Sequence, residues 1–342
     1  MSEHACTVVD LGGTTLRIAR YDADTGAVTD IRRTPTDGMA RHPGAPVPEL
    51  QNRVAEQLAS LAAEAVRRHR SGALAVAFAG PVTADGRIVT APTVWGARGE
   101  PLPLRLLLEE RLGVPVVVVN DLTAAVWRYV DTHGDQAFCL ITVSSGIGTK
   151  IYRAGEVLLD PEGHGGELGH WTCDPSPQAP LCDCGGRGHL GGIASGRGTL
   201  AAARRAAQAD PAGYARSYLG LAAPDAELLD NRVLVAAVRA ADTFATAVLR
   251  EGIAHLASAI NSVFTSIGVR RYVLMGGFAL AVGPRYAELL TEELERLGCF
   301  GLSPQDIRRM IVLGEPDDDH GLIGAGRLLT ARAAARQAVT VT

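Results

Sequence analysis

Cys6-Thr7-Val8-Val9-Asp10-Leu11-Gly12-Gly13-Thr14-Thr15-Leu16-Arg17 is a short apolar strand that runs into a glycine-rich tip, after which Ile18 to Tyr21 resumes strand character. Glycines let a backbone approach a phosphate closely, threonine hydroxyls can donate to it, and a carboxylate at a strand end suits the water shell of a magnesium ion. A plain hairpin turn would look the same, and Gly-Gly-Thr alone is a weak signal. It has a counterpart, however. Phe138-Cys139-Leu140-Ile141-Thr142-Val143 leads into Ser144-Ser145-Gly146, and Ile147-Gly148-Thr149-Lys150 returns. Two such hairpins, one near the start and one near the middle, point to an internally duplicated α/β architecture with nucleotide phosphates held between the halves.

Working outward from the first hairpin, residues 49–68 have Leu50, Val54, Leu58, Leu61 and Ala65 at helical spacing. Residues 73–79 read as a buried strand ending at Gly80-Pro81, 86–90 as an exposed strand, and 104–111 as a helix stopped by Gly113. Residues 114–119 are continuously apolar and β-branched apart from Pro115, the pattern of a strand covered on both faces. That strand delivers Asn120-Asp121 to its carboxyl end, where open α/β sheets place their ligands. A carboxylate there suits proton acceptance from a substrate hydroxyl attacking phosphorus. Asp before Leu122-Thr123-Ala124-Ala125-Val126 reads equally well as a helix N-cap, and spacing does not separate the two.

Further along, residues 199–208, 231–251 and 253–264 are helix candidates rich in Ala and Leu. Residues 271–275 form a strand leading to Gly276-Gly277, a turn that lets a flat ring approach the backbone. A last strand at 310–313 precedes Glu315-Pro316-Asp317-Asp318-Asp319-His320, which lacks the spacing of a calcium loop and reads as a solvated loop. Residues 322–338 form a terminal helix.

The chain has 342 residues, enough for two domains with real cores. Its net charge of −4 comes from interspersed charges, which argues against a nucleic-acid surface. No apolar run is long enough to span a bilayer and the first residues are polar, so a cytoplasmic protein is expected. Six cysteines, two of them close together, fit a reducing compartment with a metal site better than a disulfide framework.

That pair lies in the most informative stretch of the second half: Gly166-Glu167-Leu168-Gly169-His170, a loop with three prolines, then Cys182-Asp183-Cys184-Gly185-Gly186-Arg187-Gly188-His189. His170, Cys182, Cys184 and His189 offer two imidazoles and two thiolates, a set suited to one tetrahedral structural zinc with no open position. Residues 172–181 have no apolar periodicity to hold a shape of their own, and a metal would pin them. The alternatives are that the cysteines are small buried hydrophobes and the histidines surface residues, or that Cys173 replaces His189 as fourth ligand.

Glu167-Leu168-Gly169-His170, followed by Cys182-Asp183-Cys184-Gly185 and Gly188-His189, resembles the signature of the ROK family (repressors, open reading frames, sugar kinases). The resemblance spans residues 10 to about 326 and implies a two-domain actin-like, ribonuclease H-like ATPase fold with a duplicated core and a central cleft. On it, residues 1–121 with about 322–342 would form the smaller domain and 122–321 the larger. It implies an ATP- and Mg2+-dependent kinase acting on the primary hydroxyl of a hexose or hexose-like polyol, with Asp10, Gly12, Gly13, Thr14 and Arg17 as the first phosphate loop. Ser145 and Gly146 would belong to the second loop, Gly276 and Gly277 to the adenosine site, and Asp121 would be the general base. Substrate contacts would fall on Gly80, Thr93, Asn120, Asp121, Glu167 and His170, with His170 also ligating zinc. A dimer or tetramer would follow family habit. The family's repressors make a non-catalytic sugar sensor the alternative, but no helix-turn-helix fits before the strand that starts at Cys6. The chain departs from the family in having His189 for a usual Cys, Ser144-Ser145-Gly146 for a common Gly-Thr-Gly, and Gly191 for a usual Glu that grips the anomeric end of glucose-like sugars. The last change suggests a substrate altered at that end, such as a carbasugar or C7 cyclitol, against plain glucose with the gap otherwise filled.

Overall fold

Strands β1 (Ala5–Leu11), β2 (Thr15–Asp22), β3 (Val28–Pro35), β4 (Leu74–Phe78) and β5 (Val116–Asn120) form a sheet in the order β3-β2-β1-β4-β5. A second sheet contains β6 (Phe138–Val143), β7 (Ile147–Arg153), β8 (Glu156–Val157), β9 (Arg271–Met275) and β10 (Ile311–Leu313), in the order β10-β9-β6-β7-β8. In each, the first strand pairs antiparallel with the next and parallel with the fourth. The second sheet therefore repeats the strand order of the first, as the paired hairpins predict. The computed structural model describes residues 5–130 and 137–340, with side chains as far as 335.

Alternation along the strands explains why they read as continuous apolar runs. Val9, Leu11, Val76, Phe78, Val116 and Val118 enter one core with helices α1 (Val47–His69) and α2 (Leu104–Leu112). Cys6, Val8, Ala75, Ala77, Val117 and Val119 face the other way, against Ala124 of α3 (Asp121–Arg128) and Leu322, Ala325 and Leu328 of the terminal helix His320–Thr340. Both faces of the sheet are thus covered, and each fully buried Val or Leu side chain contributes roughly 1.5–3 kcal/mol.

Two local readings change. Residues 86–90 form no continuous strand; Ile88 makes isolated bridges to Val82 and Leu102 and is fully buried. The helix break expected near Gly252 lies instead between Asn231–Arg239 and Thr243–Ile267, where Asp242 caps the second helix by accepting from Ala245 N at 2.8 Å. Gly252 sits inside that helix because it faces a neighbour: an added Cβ would lie 3.1 Å from the Ala194 Cα.

The chain forms two compact units, the described residues of Met1–Gly134, Val157–Gly165 and Asp317–Thr342 in one, and of Asp135–Glu156 and Gly166–Pro316 in the other. A division at Asp121 would place α3 in the second unit, but α3 packs against the terminal helix and stays with the first. Residues 157–165 return to that unit as well, where Pro161 O accepts from Ala84 N at 2.8 Å. No helix among the described residues is long and apolar enough to cross a membrane.

The acidic run before the terminal helix is exposed at residues 315–318, as its composition suggests, and it is also ion-paired to arginines of remote segments. Asp317 takes both terminal nitrogens of Arg128, with Nη2 to Oδ2 at 2.7 Å. Asp318 lies 3.1 Å from Arg17 and 3.2 Å from Arg33. The Arg128 hydrogen bonds hold the Asp317 carboxyl down to about 2. A depressed folded value means that the stabilisation is complete above the ordinary carboxylate range, near pH 4, and is lost as pH falls toward about 2. With Asp317 45 % exposed, solvent screening keeps the contribution below about 1 kcal/mol. In urea titrations at successive pH values, wild type is expected to be slightly more stable than Asp317→Asn at pH 6. The two curves should converge between about pH 4 and pH 2.

Candidate functional site

In the first unit the register brings the carboxyl ends of three parallel strands side by side: Leu11 pairs with Phe78, and Phe78 with Asn120. Leu11 O accepts from Ala79 N at 2.9 Å, which fixes the start of the segment carrying Gly80. Asn120 then does three things. Its Oδ1 accepts from Leu122 N at 3.0 Å and Thr123 N at 3.2 Å, and its Nδ2 donates to Gly80 O at 3.0 Å and to Asp121 Oδ1 at 2.8 Å.

Asn120, not Asp121, is therefore the N-cap of α3. Asp121 is the first helical residue, partly exposed, and its Oδ1 also accepts from Leu122 N at 2.9 Å. The N-terminal end of a helix favours a carboxylate, so local structure supplies both orientation and a favourable field. The Asp121 side chain is held by Asn120 Nδ2 and Leu122 N without being the cap.

The first glycine-rich tip is closed by Gly12 N donating to Thr15 O at 2.9 Å, and Thr36 Oγ1 donates to Gly12 O at 2.7 Å. Gly13 is required by close packing: any Cβ there would collide with the backbone of Thr93, and Thr93 itself is exposed beside it. Thr14 is exposed at the tip. At the strand end, burial pushes the Asp10 carboxyl upward against the opposing effect of Arg17, which is hydrogen-bonded to it. Arg17 also meets Asp318 at 3.1 Å and Asp319 at 3.4 Å. The first unit thus brings together Asp10, Gly12, Gly13, Thr14, Arg17, Gly80, Thr93, Asn120 and Asp121. Thr36 and the aspartates at 318 and 319 were not singled out by motif. A lone threonine carries no pattern, and an acidic run reveals its arginine partners only once distant strands are paired.

In the second unit Ser144 N donates to Gly146 O at 2.9 Å, closing the tip that holds Ser145. The parallel pairing of Thr142 with Met275 sets Gly276-Gly277 beside it. Gly276 has φ +96°, and a Cβ there would lie 2.7 Å from Val143 O, so only glycine makes this turn. A cavity of about 570 Å³ opens against Ser144, Ser145, Gly277, Phe278, Asn231 and Arg239. The helix Asn231–Arg239 that walls it offers sequence reasoning only an Ala- and Val-rich pattern, so its part in this cavity was not legible. Asn231 Oδ1 is buried there without a hydrogen-bond partner.

Glu167 precedes and His170 ends a short turn of 3-10 helix, Leu168–His170, and Lys150 Nζ donates to Glu167 Oε1 at 2.6 Å. One ligand atom from each of His170, Cys182, Cys184 and His189 lies within 4.8 Å of the others. His189 Nδ1 is 3.2 Å from Cys184 Sγ, and His170 Nδ1 is 4.0 Å from Cys182 Sγ. Ligand atoms around a tetrahedral zinc are separated by about 3.3–3.8 Å, so this donor set fits such an ion with modest contraction. Cys173 is not in the cluster. It packs against the core, and burial pushes its thiol up to about 11.

Three comparisons agree with this geometry. The profile of the ROK family matches residues 6–332. The chain is 52 % identical over 339 residues to a C(7)-cyclitol 7-kinase of Streptomyces hygroscopicus subsp. jinggangensis, covering 98 % of this chain and 96 % of that one. It is 32 % identical over 343 residues to a 2-epi-5-epi-valiolone 7-kinase of Actinoplanes sp., covering 94 % and 92 %. The structure of a ROK hexokinase from Thermus thermophilus superposes with a TM-score of 0.73 at 28 % identity, covering 97 % of this chain and 99 % of that one. The two repeated sheets are those of the actin- and hexokinase-like fold. With nearly the whole length matched and the same signature residues gathered at the strand ends and the cysteine pair, the chain belongs to the ROK family.

Proposed function

We propose that this protein transfers the γ-phosphate of ATP to the primary hydroxyl at C7 of a C7 cyclitol. It is a phosphotransferase whose acceptor is a sugar or cyclitol hydroxyl. The observation that carries the finer reading is the 52 % identity, over almost the full length of both chains, to a C(7)-cyclitol 7-kinase. Gly191 supports it. Residue 191 is buried in α4 (Leu190–Ala194), and an added Cβ would lie 3.1 Å from Gly169 O. No charged acceptor stands there to grip the anomeric hydroxyls of a glucose-like ring, and buried hydroxyls left unpaired would disfavour such a substrate.

In the proposed reaction the acceptor oxygen attacks phosphorus, its proton passes to Asp121, and the bond from phosphorus to the ADP oxygen breaks. Asn120 turns Asp121 toward that task through the 2.8 Å hydrogen bond. The tips at Gly12 to Thr14 and at Ser145-Gly146 would donate to phosphate oxygens, and the cavity beside Gly277 would take the adenosine. Mg2+, when bound near Asp10, supplies charge neutralisation of the phosphates. Glu167 and His170 would meet acceptor hydroxyls. His170 turns Nδ1 toward the cysteines, which leaves Nε2 for that contact. A structural zinc held by His170, Cys182, Cys184 and His189 would fix this wall from outside the chemistry.

Three measurements test the reading. With ATP, kcat/KM for 2-epi-5-epi-valiolone is expected to exceed that for D-glucose by about tenfold or more, and a clear preference for glucose overturns the cyclitol assignment. Asp121→Ala is expected to lower kcat by about 10²–10⁴ while acceptor affinity stays within about tenfold; near-wild-type turnover removes Asp121 from the role. Elemental analysis of the native protein is expected to find about one zinc per chain, and Cys184→Ser to lose it.

A further inference from the structure

We propose that Lys150 is the positioning residue for the acceptor-binding carboxylate, holding Glu167 in the orientation from which it meets the substrate. This rests on the reading that Glu167 contacts the acceptor. The two side chains are 2.6 Å apart but differently placed: that of Lys150 is 3 % exposed and that of Glu167 is 55 % exposed. A buried ammonium that loses its counter-charge is costly, whereas an exposed carboxylate is not, so the pair is held from the lysine side. One oxygen, Oε1, is committed to Nζ, and with the Glu167 side chain 55 % exposed the carboxylate stays open to a hydroxyl that would donate to it.

The backbone on both sides of Glu167 is gripped by the same strand. Thr149 Oγ1 donates to Gly166 O and accepts from Leu168 N at 3.3 Å. Gly166, at φ +70°, lies so close that an added Cβ would fall 2.6 Å from Thr149 O and 3.2 Å from the Lys150 Cδ. Gly169 closes on the Ile147 carbonyl in the same way. Strand β7 begins immediately after the Ser144-Ser145-Gly146 tip, so one strand carries both the second phosphate loop and the grip on the acceptor carboxylate. Lys150 adds the side-chain half of a grip whose backbone half is already made by Thr149 and the glycines.

The test is steady-state kinetics of Lys150→Met, Lys150→Arg, Glu167→Gln and the Lys150→Met/Glu167→Gln double variant, with ATP and whichever of 2-epi-5-epi-valiolone and D-glucose the wild type turns over faster. Lys150→Met is expected to raise the acceptor KM about tenfold to a hundredfold, with the KM for ATP and kcat within about threefold. Lys150→Arg should recover most of the loss, and the double variant should be no worse than Glu167→Gln alone. An unchanged acceptor KM in Lys150→Met, a parallel rise in the KM for ATP, or additive losses in the double variant would overturn the proposal. Glu167→Gln separates the two readings. If it leaves the acceptor KM unchanged, Glu167 is not a substrate contact; if it raises that KM while Lys150→Met does not, only the role of Lys150 falls.

Discussion

Parallel pairing of β1, β4 and β5 is the constraint on which the first unit depends. Hydrogen-bond register leaves no freedom in where the strands end relative to one another, so Leu11, Phe78 and Asn120 finish on one line. Most of the candidate site residues of this unit follow within a few residues of that line: the glycine tip, Gly80, and Asn120 with Asp121. The second unit obeys the same rule. Its β6, β9 and β10 run parallel, and the serine-glycine tip and the Gly276-Gly277 turn leave from their carboxyl ends. Strand register, more than any individual contact, gathers groups that lie more than a hundred residues apart in the chain.

Asn120 converts that alignment into a defined carboxylate. By capping α3 with its oxygen and using its nitrogen on Gly80 and Asp121, it satisfies helix donors and fixes a neighbouring side chain with one amide group. Of the two readings open at Asn120-Asp121, base or cap, the cap falls to Asn120. In the second unit an ion pair joins the buried Lys150 ammonium to the exposed Glu167 carboxylate.

Much of this was legible in the amino-acid order, for identifiable reasons. The apolar run at 114–119 indicated a strand covered on two sides, and the two cores show why: its valines alternate between α1 and α2 on one face and the terminal helix on the other. The clustering of the candidate ligands was legible because close spacing in sequence keeps Cys182, Cys184 and His189 near one another in space. Interactions that join remote segments were not. Asp317 paired with Arg128, and Asp318 with Arg17 and Arg33, give no local signal, since an acidic run looks alike in water and against arginines. Residues 86–90 read as an exposed strand, but Ile88 is buried and the segment makes only bridges. Gly252 looked like a helix stop because close helix packing and helix termination select the same residue.

The first unit is built from segments far apart in the polypeptide. Cys6, Val8, Ala75, Ala77, Val117 and Val119 line a sheet face whose cover, Leu322, Ala325 and Leu328, follows only after the second unit. During vectorial synthesis that face stays bare until residues 322–328 have been made, whereas its opposite face, covered by α1 and α2, closes early. The second unit, encoded almost wholly between the two, emerges while the first is still half-clad. An exposed apolar sheet face of this kind attracts chaperones and self-association, so emergence of residues 322–328 from the exit tunnel is the step that covers it.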